Sequence, residues 1–382
     1  MTLPTIPSEV PLDGPAVPGS AAVTSSEVRE RRVHCFDDPG DKARRALLVA
    51  LGANRPLLVQ GEPGVGKTQL AEAAAKALDR VFLSVTVDSR TESRDLLYSF
   101  DAARRLGEAQ LIGALGAMIK PTNEPESSGA DADRAAREKL EQKVAELRAE
   151  LDPGNFVVPG ILWWAFNHES ARTQAIKAKT SCAWSGLNWK AAKGSSVVLI
   201  DEIDKAEAEL PNGLLEALGS RRFSVSAGLP DVVMQTTNPP LVIITTNRER
   251  TLPDPFLRRC VVLNLELPTE PSVSQNPPAK KGDTQPPGDG LETPEPTVSL
   301  SQFLFNRGKA HFPKLGEPVL QRAAELLVRD RAQAARDQTL LPGQAEYLDL
   351  LRAVAASSAD SDEQLSNLDL FSDFVFVKSD RS

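Results

Sequence analysis

The sequence predicts an α/β fold: a five-stranded parallel sheet covered by helices, followed by a small all-helical segment. Three observations predict it. Short apolar runs recur through the middle of the chain without the polar alternation of a half-exposed strand, as expected for strands buried on both faces. Helical stretches rich in Ala and Leu separate those runs, the arrangement that builds parallel sheets. Beyond a Pro-rich stretch, the remaining residues carry only helical spacing.

The five strands are Leu57-Leu58-Val59-Gln60, Val81 to Val85, Val197 to Ile200, Leu241 to Thr245 and Val261 to Leu265. A helix from Asp41, a capping residue, to Gly52, a stop, precedes the first strand. An Ala-rich helix from Lys67 to Leu78 follows the turn after that strand. Further helices are expected near Leu300 to Ala310, Glu317 to Arg336, Gln344 to Ala356 and Asp362 to Phe371.

The expected layout is a flexible tail over 1–33, a sheet-containing α/β domain over 34–268, a disordered linker over 269–298 and a helical domain over 299–382. Pro, Ser, Gly and Ala dominate the tail, and Pro, Gly, Thr and Lys the linker. Within the larger domain an insertion spans about 120–155. It holds a charged helix with Leu140, Val144, Leu147 and Leu151 at 4-3-4 spacing, too short a seam for a lone coiled coil. It reads as a solvated helix, a packed insertion or a projecting hairpin.

The chain has 382 residues and a formal net charge of −8, against a surface built throughout for nucleic acid. No run reaches the roughly 18 apolar residues needed to span a bilayer, and the first residues lack the layout of a secretion signal. Cys35, Cys182 and Cys260 are scattered without metal or disulfide spacing, which fits a cytoplasmic protein with thiols used for packing. An aromatic and basic stretch runs from Phe156 through Trp163, Trp164, Phe166, Trp184 and Trp189, with Arg172, Lys177, Lys179, Lys190 and Lys193 interleaved. It reads as core, or as a grip on a single strand of nucleic acid or on a partner.

Gly61-Glu62-Pro63-Gly64-Val65-Gly66-Lys67-Thr68 fits G-x-x-x-x-G-K-[ST], between an expected strand and an expected helix that continues through Gln69. Its glycines let the backbone N–H groups wrap a phosphate chain, and the helix start adds partial positive charge. Lys67 would reach the terminal phosphates of ATP, and the Thr68 hydroxyl would hold Mg2+. Asp201 and Glu202 end an apolar strand, where Asp201 would share the magnesium and Glu202 would polarise the attacking water. Asn247 ends another strand, placing a neutral polar group that would orient that water. Arg258 and Arg259 follow a short helix at Asp254. One of them, Arg259 in preference, would reach the nucleotide of a neighbouring copy.

In that order, G-E-P-G-V-G-K-T, L-I-D-E-I-D-K-A-E-A-E-L-P-N-G-L-L-E-A-L, I-T-T-N and D-P-F-L-R-R resemble the MoxR group of AAA+ ATPases. Val158 to Trp164 is similar to the P-G-P-L-x-W-A segment of that group. The resemblance covers roughly Asp41 to Pro268 and implies a P-loop AAA+ domain with sheet order 5-1-4-3-2 and a small α-helical lid domain. It further implies nucleotide between the subunits of a homo-oligomer, usually a hexameric ring. It implies a client or partner protein, often one with a von Willebrand A domain. Arg222 to Ser226 with Val232 to Met234 matches the hairpin that such rings turn toward a pore or client. Leu341 to Leu348 carries no Arg, although the family usually has one there. Two other readings are a nucleic-acid motor similar to McrB in antiviral defence, and an ATP-gated assembly module with little hydrolysis.

Overall fold

The computed structural model describes residues 4–12, 30–36, 42–118, 142–143, 145–235, 238–268 and 298–376. The expected cap Asp41, most of the 120–155 insertion and nearly all of the 269–298 linker lie outside them.

The central sheet contains β3 (Leu57–Gln60), β4 (Val81–Thr86), β7 (Ser196–Asp201), β10 (Leu241–Thr246) and β11 (Val261–Asn264). Its order is β11-β3-β10-β7-β4. Numbered along the sheet-forming strands alone, this is 5-1-4-3-2, as the resemblance implied. The inner strands β3, β7 and β10 are buried along nearly their whole length because both faces of the sheet are covered there, whereas the edge strands β4 and β11 expose Ser84 and Val262. The helices α1 (Lys42–Ala53) and α2 (Lys67–Ala77) bury Leu47 and Leu70 respectively.

The chain forms two compact units. The first holds residues 1–79, 241–251 and 257–382. In it β3 pairs in parallel with β10 and with β11, Leu57 standing opposite both Ile243 and Val261. Part of the stretch expected as a flexible tail is ordered here. β1 (Glu9–Pro11) pairs antiparallel with β2 (Val33–Cys35), and Ile6, Val10 and Leu12 are buried. The Pro and Ser content of the tail hid this short apolar pattern.

The same unit contains the helices α9 (Leu300–His311), α10 (Glu317–Asp337), α11 (Gln344–Ser357) and α12 (Ser361–Val375). They share a core that includes Leu304, Leu320, Leu327, Tyr347, Leu351 and Leu368. Ser299 caps α9 and Asp360 caps α12 through side-chain oxygens.

The second unit holds residues 80–240 and 252–256. β4 pairs in parallel with β7, Val81 opposite Ser196 and Thr86 opposite Asp201. Between them in sequence come α3 (Ser93–Leu97), β5 (Tyr98–Phe100), α4 (Ala102–Met118), β6 (Val157–Pro159), α5 (Ile161–Phe166) and α6 (His168–Lys177). Beyond β7 lies α7 (Glu209–Ser220), then the hairpin β8 (Arg222–Phe223) and β9 (Val232–Val233), with Phe223 opposite Val232. The helical residues 145–150 of the insertion are mostly exposed, which favours the solvated reading of that stretch.

Candidate functional site: the phosphate loop and its partners

The turn from β3 into α2 is shaped by glycine. Gly64 and Gly66 have φ of +76° and +95°, a region that other residues rarely enter. Gly61 is required for a different reason. A Cβ on it would stand 2.2 Å from the Leu265 carbonyl oxygen. The loop ends at α2, whose first residue is Lys67, and the N-terminus of a helix is where backbone N–H groups and the helix dipole favour an anion.

Lys67 is 8% exposed, unusual for a lysine without partners. Its Nζ donates to the Gly61 carbonyl at 2.8 Å, the Glu62 carbonyl at 2.9 Å and Asn247 Oδ1 at 2.7 Å. Asn247 follows β10, whose last residue Thr246 stands opposite Gln60 at the end of β3. Two parallel strands that end level thus bring Lys67 and Asn247 together. Thr68 is exposed on the first turn of α2, and Gln69 is half-buried beside it. Thr68 here and Asp201 in the second unit each carry side-chain oxygen, the donor type that a hard cation such as magnesium takes. Among the described residues no group of three or more His, Cys, Asp or Glu could hold a metal ion by itself.

In the second unit, Asp201 is the last residue of β7 and is half-buried. Glu202 comes next in the left-handed region, at φ 59°. A non-glycine residue held there stores strain of the kind found at functional sites. Its Oε2 accepts from Lys205 Nζ at 2.6 Å.

Arg258 and Arg259 are both exposed. They follow α8 (Asp254–Leu257) and precede β11. Val261 N donates to the Pro56 carbonyl, and Arg55 Nη1 to the Arg258 carbonyl. Both arginines therefore sit where β3 and β11 begin, whereas the phosphate loop leaves β3 where it ends.

The aromatic stretch is interior except for Trp184, which is half-buried. Trp163, Trp164, Phe166 and Trp189 are buried, Trp164 stacks on Trp189 at 6.3 Å and His168 stacks on Trp189 at 4.7 Å. These rings are not available to stack on bases. Burial raises the thiol of Cys260 to about 12 and also raises that of Cys182, in keeping with packing thiols.

Sequence reasoning missed one contact. Arg331, on α10, donates to Glu62 of the phosphate loop at 2.6 Å. The clue lay in spacing: Arg331 continues the buried stripe Leu320, Ala324, Leu327 by one helical turn, where an apolar residue is expected.

Residues 56–118 match the family model of the AAA domain, dynein-related subfamily. The fold is an AAA+ P-loop fold. No curated protein matches the chain. Among solved structures the chain is similar to the RuvB Holliday junction branch migration motor of Thermotoga maritima, at 12% identity and TM-score 0.34, over 87% of this chain and 69% of that one. A mutant of the same RuvB gives 13% and 0.38 over 88% and 70%. An inferred ATPase of Cytophaga hutchinsonii gives 13% and 0.30 over 87% and 79%. No described helix of this AAA+ fold is long and apolar enough to cross a membrane.

Proposed function

We propose that the protein binds Mg-ATP on the Gly61–Thr68 loop and hydrolyses it as a homo-oligomer, in the manner of the MoxR group, to remodel or activate a partner protein in the cytoplasm. The observation that carries the reading is Lys67, buried at the start of α2 and held by two loop carbonyls and Asn247 Oδ1. A lysine so placed lies at the end of a glycine-rich loop of the kind whose backbone N–H groups wrap a phosphate chain.

The residues divide the work. The backbone of Gly61 to Lys67 binds the phosphate chain, and Lys67 neutralises its end. Thr68 and Asp201 would hold magnesium, which when bound draws charge from the phosphate oxygens. Glu202 accepts the proton of the attacking water, and Asn247 orients that water. Arg259, or Arg258, of an adjacent copy supplies positive charge as the phosphoryl group transfers. The deciding experiment is Mg-ATP titration and phosphate release with the wild-type chain and Lys67→Ala. Binding and turnover lost together in the variant support the reading, and normal ATP affinity in Lys67→Ala would overturn it.

One observation favours the second reading, assembly gated by ATP with little hydrolysis. Glu202 is already engaged by Lys205 at 2.6 Å. If that pair restrains the base, Lys205→Ala releases phosphate faster than wild type at equal ATP affinity. An unchanged or slower rate removes this reading's support.

A further inference from the structure

Glu62 is the second residue of the phosphate loop, an acid placed where a polyanion would lie. Its carboxylate does not face the loop alone. Arg331 reaches it from α10 with Nη2 at 2.6 Å, and Nη1 of the same guanidinium donates to the Pro342 carbonyl at 2.9 Å. The Arg331 side chain is 18% exposed and that of Glu62 51%. Gly343 and Ala345, where this turn runs into α11, also lie close to the loop. A Cβ on Gly64 would lie 3.0 Å from Ala345 Cβ, and one on Gly343 would lie 3.5 Å from the Pro63 carbonyl oxygen.

An exposed ion pair contributes little by itself. This one differs in that its arginine is largely buried and uses its planar fork on two acceptors at once. Without Arg331, the Glu62 carboxylate would stand uncompensated beside any phosphate bound to the loop, and like charges there repel.

We propose that Arg331 is a positioning residue for nucleotide: it neutralises Glu62 and pins the α10–α11 turn to the phosphate loop, so that affinity for ATP depends on the helices being docked. The proposal rests on the reading of Gly61 to Thr68 as an ATP site. It assigns this role to a residue well outside Leu341 to Leu348, the stretch in which a helical-domain arginine was expected.

The test uses the full chain, Mg-ATP as the ligand and the variants Arg331→Gln, Arg331→Lys, Glu62→Gln and the double Arg331→Gln/Glu62→Gln. Losing one charge-assisted contact predicts about tenfold weaker ATP binding in Arg331→Gln. Arg331→Lys recovers part of it. The double variant binds more tightly than Arg331→Gln, because the uncompensated carboxylate is gone. A merely structural role for Arg331 would show no such rescue. Limited proteolysis between 338 and 343 should be faster in Arg331→Gln and in Glu62→Gln than in wild type. If Arg331→Gln fails to fold, proteolysis of Glu62→Gln decides, since that side chain is half exposed and removing its charge leaves the packing intact. Affinity within twofold of wild type in Arg331→Gln, a double variant no better than Arg331→Gln, or an unchanged cleavage rate in Glu62→Gln would overturn the proposal. Lys67→Ala separates the two levels. If it binds ATP normally, the site itself is wrong; if it does not, while the Arg331 variants bind as wild type, only the clamp is wrong.

Discussion

Lys67 Nζ donates a 2.7 Å hydrogen bond to Asn247 Oδ1, joining two residues 180 positions apart. The bond exists because β3 and β10 run parallel and end level, Gln60 opposite Thr246. Asn247→Ala removes it while leaving the loop carbonyls to hold the lysine. We expect ATP binding to change by only a few-fold and turnover to fall roughly 100-fold, as for loss of one preorganised polar group. Steady-state kinetics beside an equilibrium titration separate the two.

Glu202 should be needed for the chemical step alone. Glu202→Gln keeps size and backbone pose and removes the base, predicting a turnover loss of roughly 10²–10⁴ with ATP affinity retained. Phosphate release near the wild-type rate would remove Glu202 from the mechanism.

Gly61 tests the geometry of the loop apart from its chemistry. Gly61→Ala places a methyl 2.2 Å from the Leu265 carbonyl oxygen, and the backbone must move. Overpacking of this kind costs roughly 1–3 kcal/mol. The expected result is a lower melting temperature together with weaker nucleotide binding. An unshifted melting curve would mean the loop is looser than described.

Acid stability should report on His34. It is buried, its Nδ1 has no hydrogen-bond partner among the described residues, and its ring meets Phe36 edge-on at 4.7 Å. Burial lowers its pKa from 6.5 to about 3, helped by the charges of Arg307 and His311. The unfolded chain therefore takes up a proton that the folded chain refuses. Stability falls as pH drops from about 6.5 toward 3, by up to about 1.4 kcal/mol per pH unit. Glu30 acts lower down. Burial opposes its ionisation, but hydrogen bonds with His311 and Arg352 prevail and hold it at about 2, so its contribution is lost only between about 4.5 and 2. Melting temperature measured from pH 7 to 4.5 should drop more steeply for wild type than for His34→Gln. Parallel curves would refute the assignment.

Arg259→Ala should leave ATP binding intact and lower turnover by roughly 10³ or more, with a smaller effect from Arg258→Ala. Adding an ATP-binding Glu202→Gln chain, which keeps its arginines, to Arg259→Ala chains should not restore the rate fully unless mixed assemblies form. Phosphate release by mixtures at varied ratios measures this.

Much of this fold was legible in the sequence for a physical reason. Strands buried on both faces read as apolar runs, and the glycines of Gly61 to Gly66 announce a turn that other residues cannot make. The helices from Leu300 onward were also readable from their spacing, most within a residue or two. What escaped were contacts between residues distant in sequence. Arg331 looks like an ordinary surface arginine until α10 brings it to Glu62. The strand at Glu9–Pro11 was hidden because its apolar residues are few and lie among Pro and Ser. The aromatic stretch allowed two readings from composition, and the burial of Trp163, Trp164 and Trp189 favours the core.

The placement of Arg258 and Arg259 at the beginning of β11, with the phosphate loop at the far end of the neighbouring β3, has a kinetic corollary. Under the proposal that one of these guanidinium groups serves the loop of a neighbouring copy, a solitary chain lacks that group at its own loop. Rate per molecule should therefore climb with dilution reversed, and a sufficiently dilute sample would be catalytically silent though fully folded.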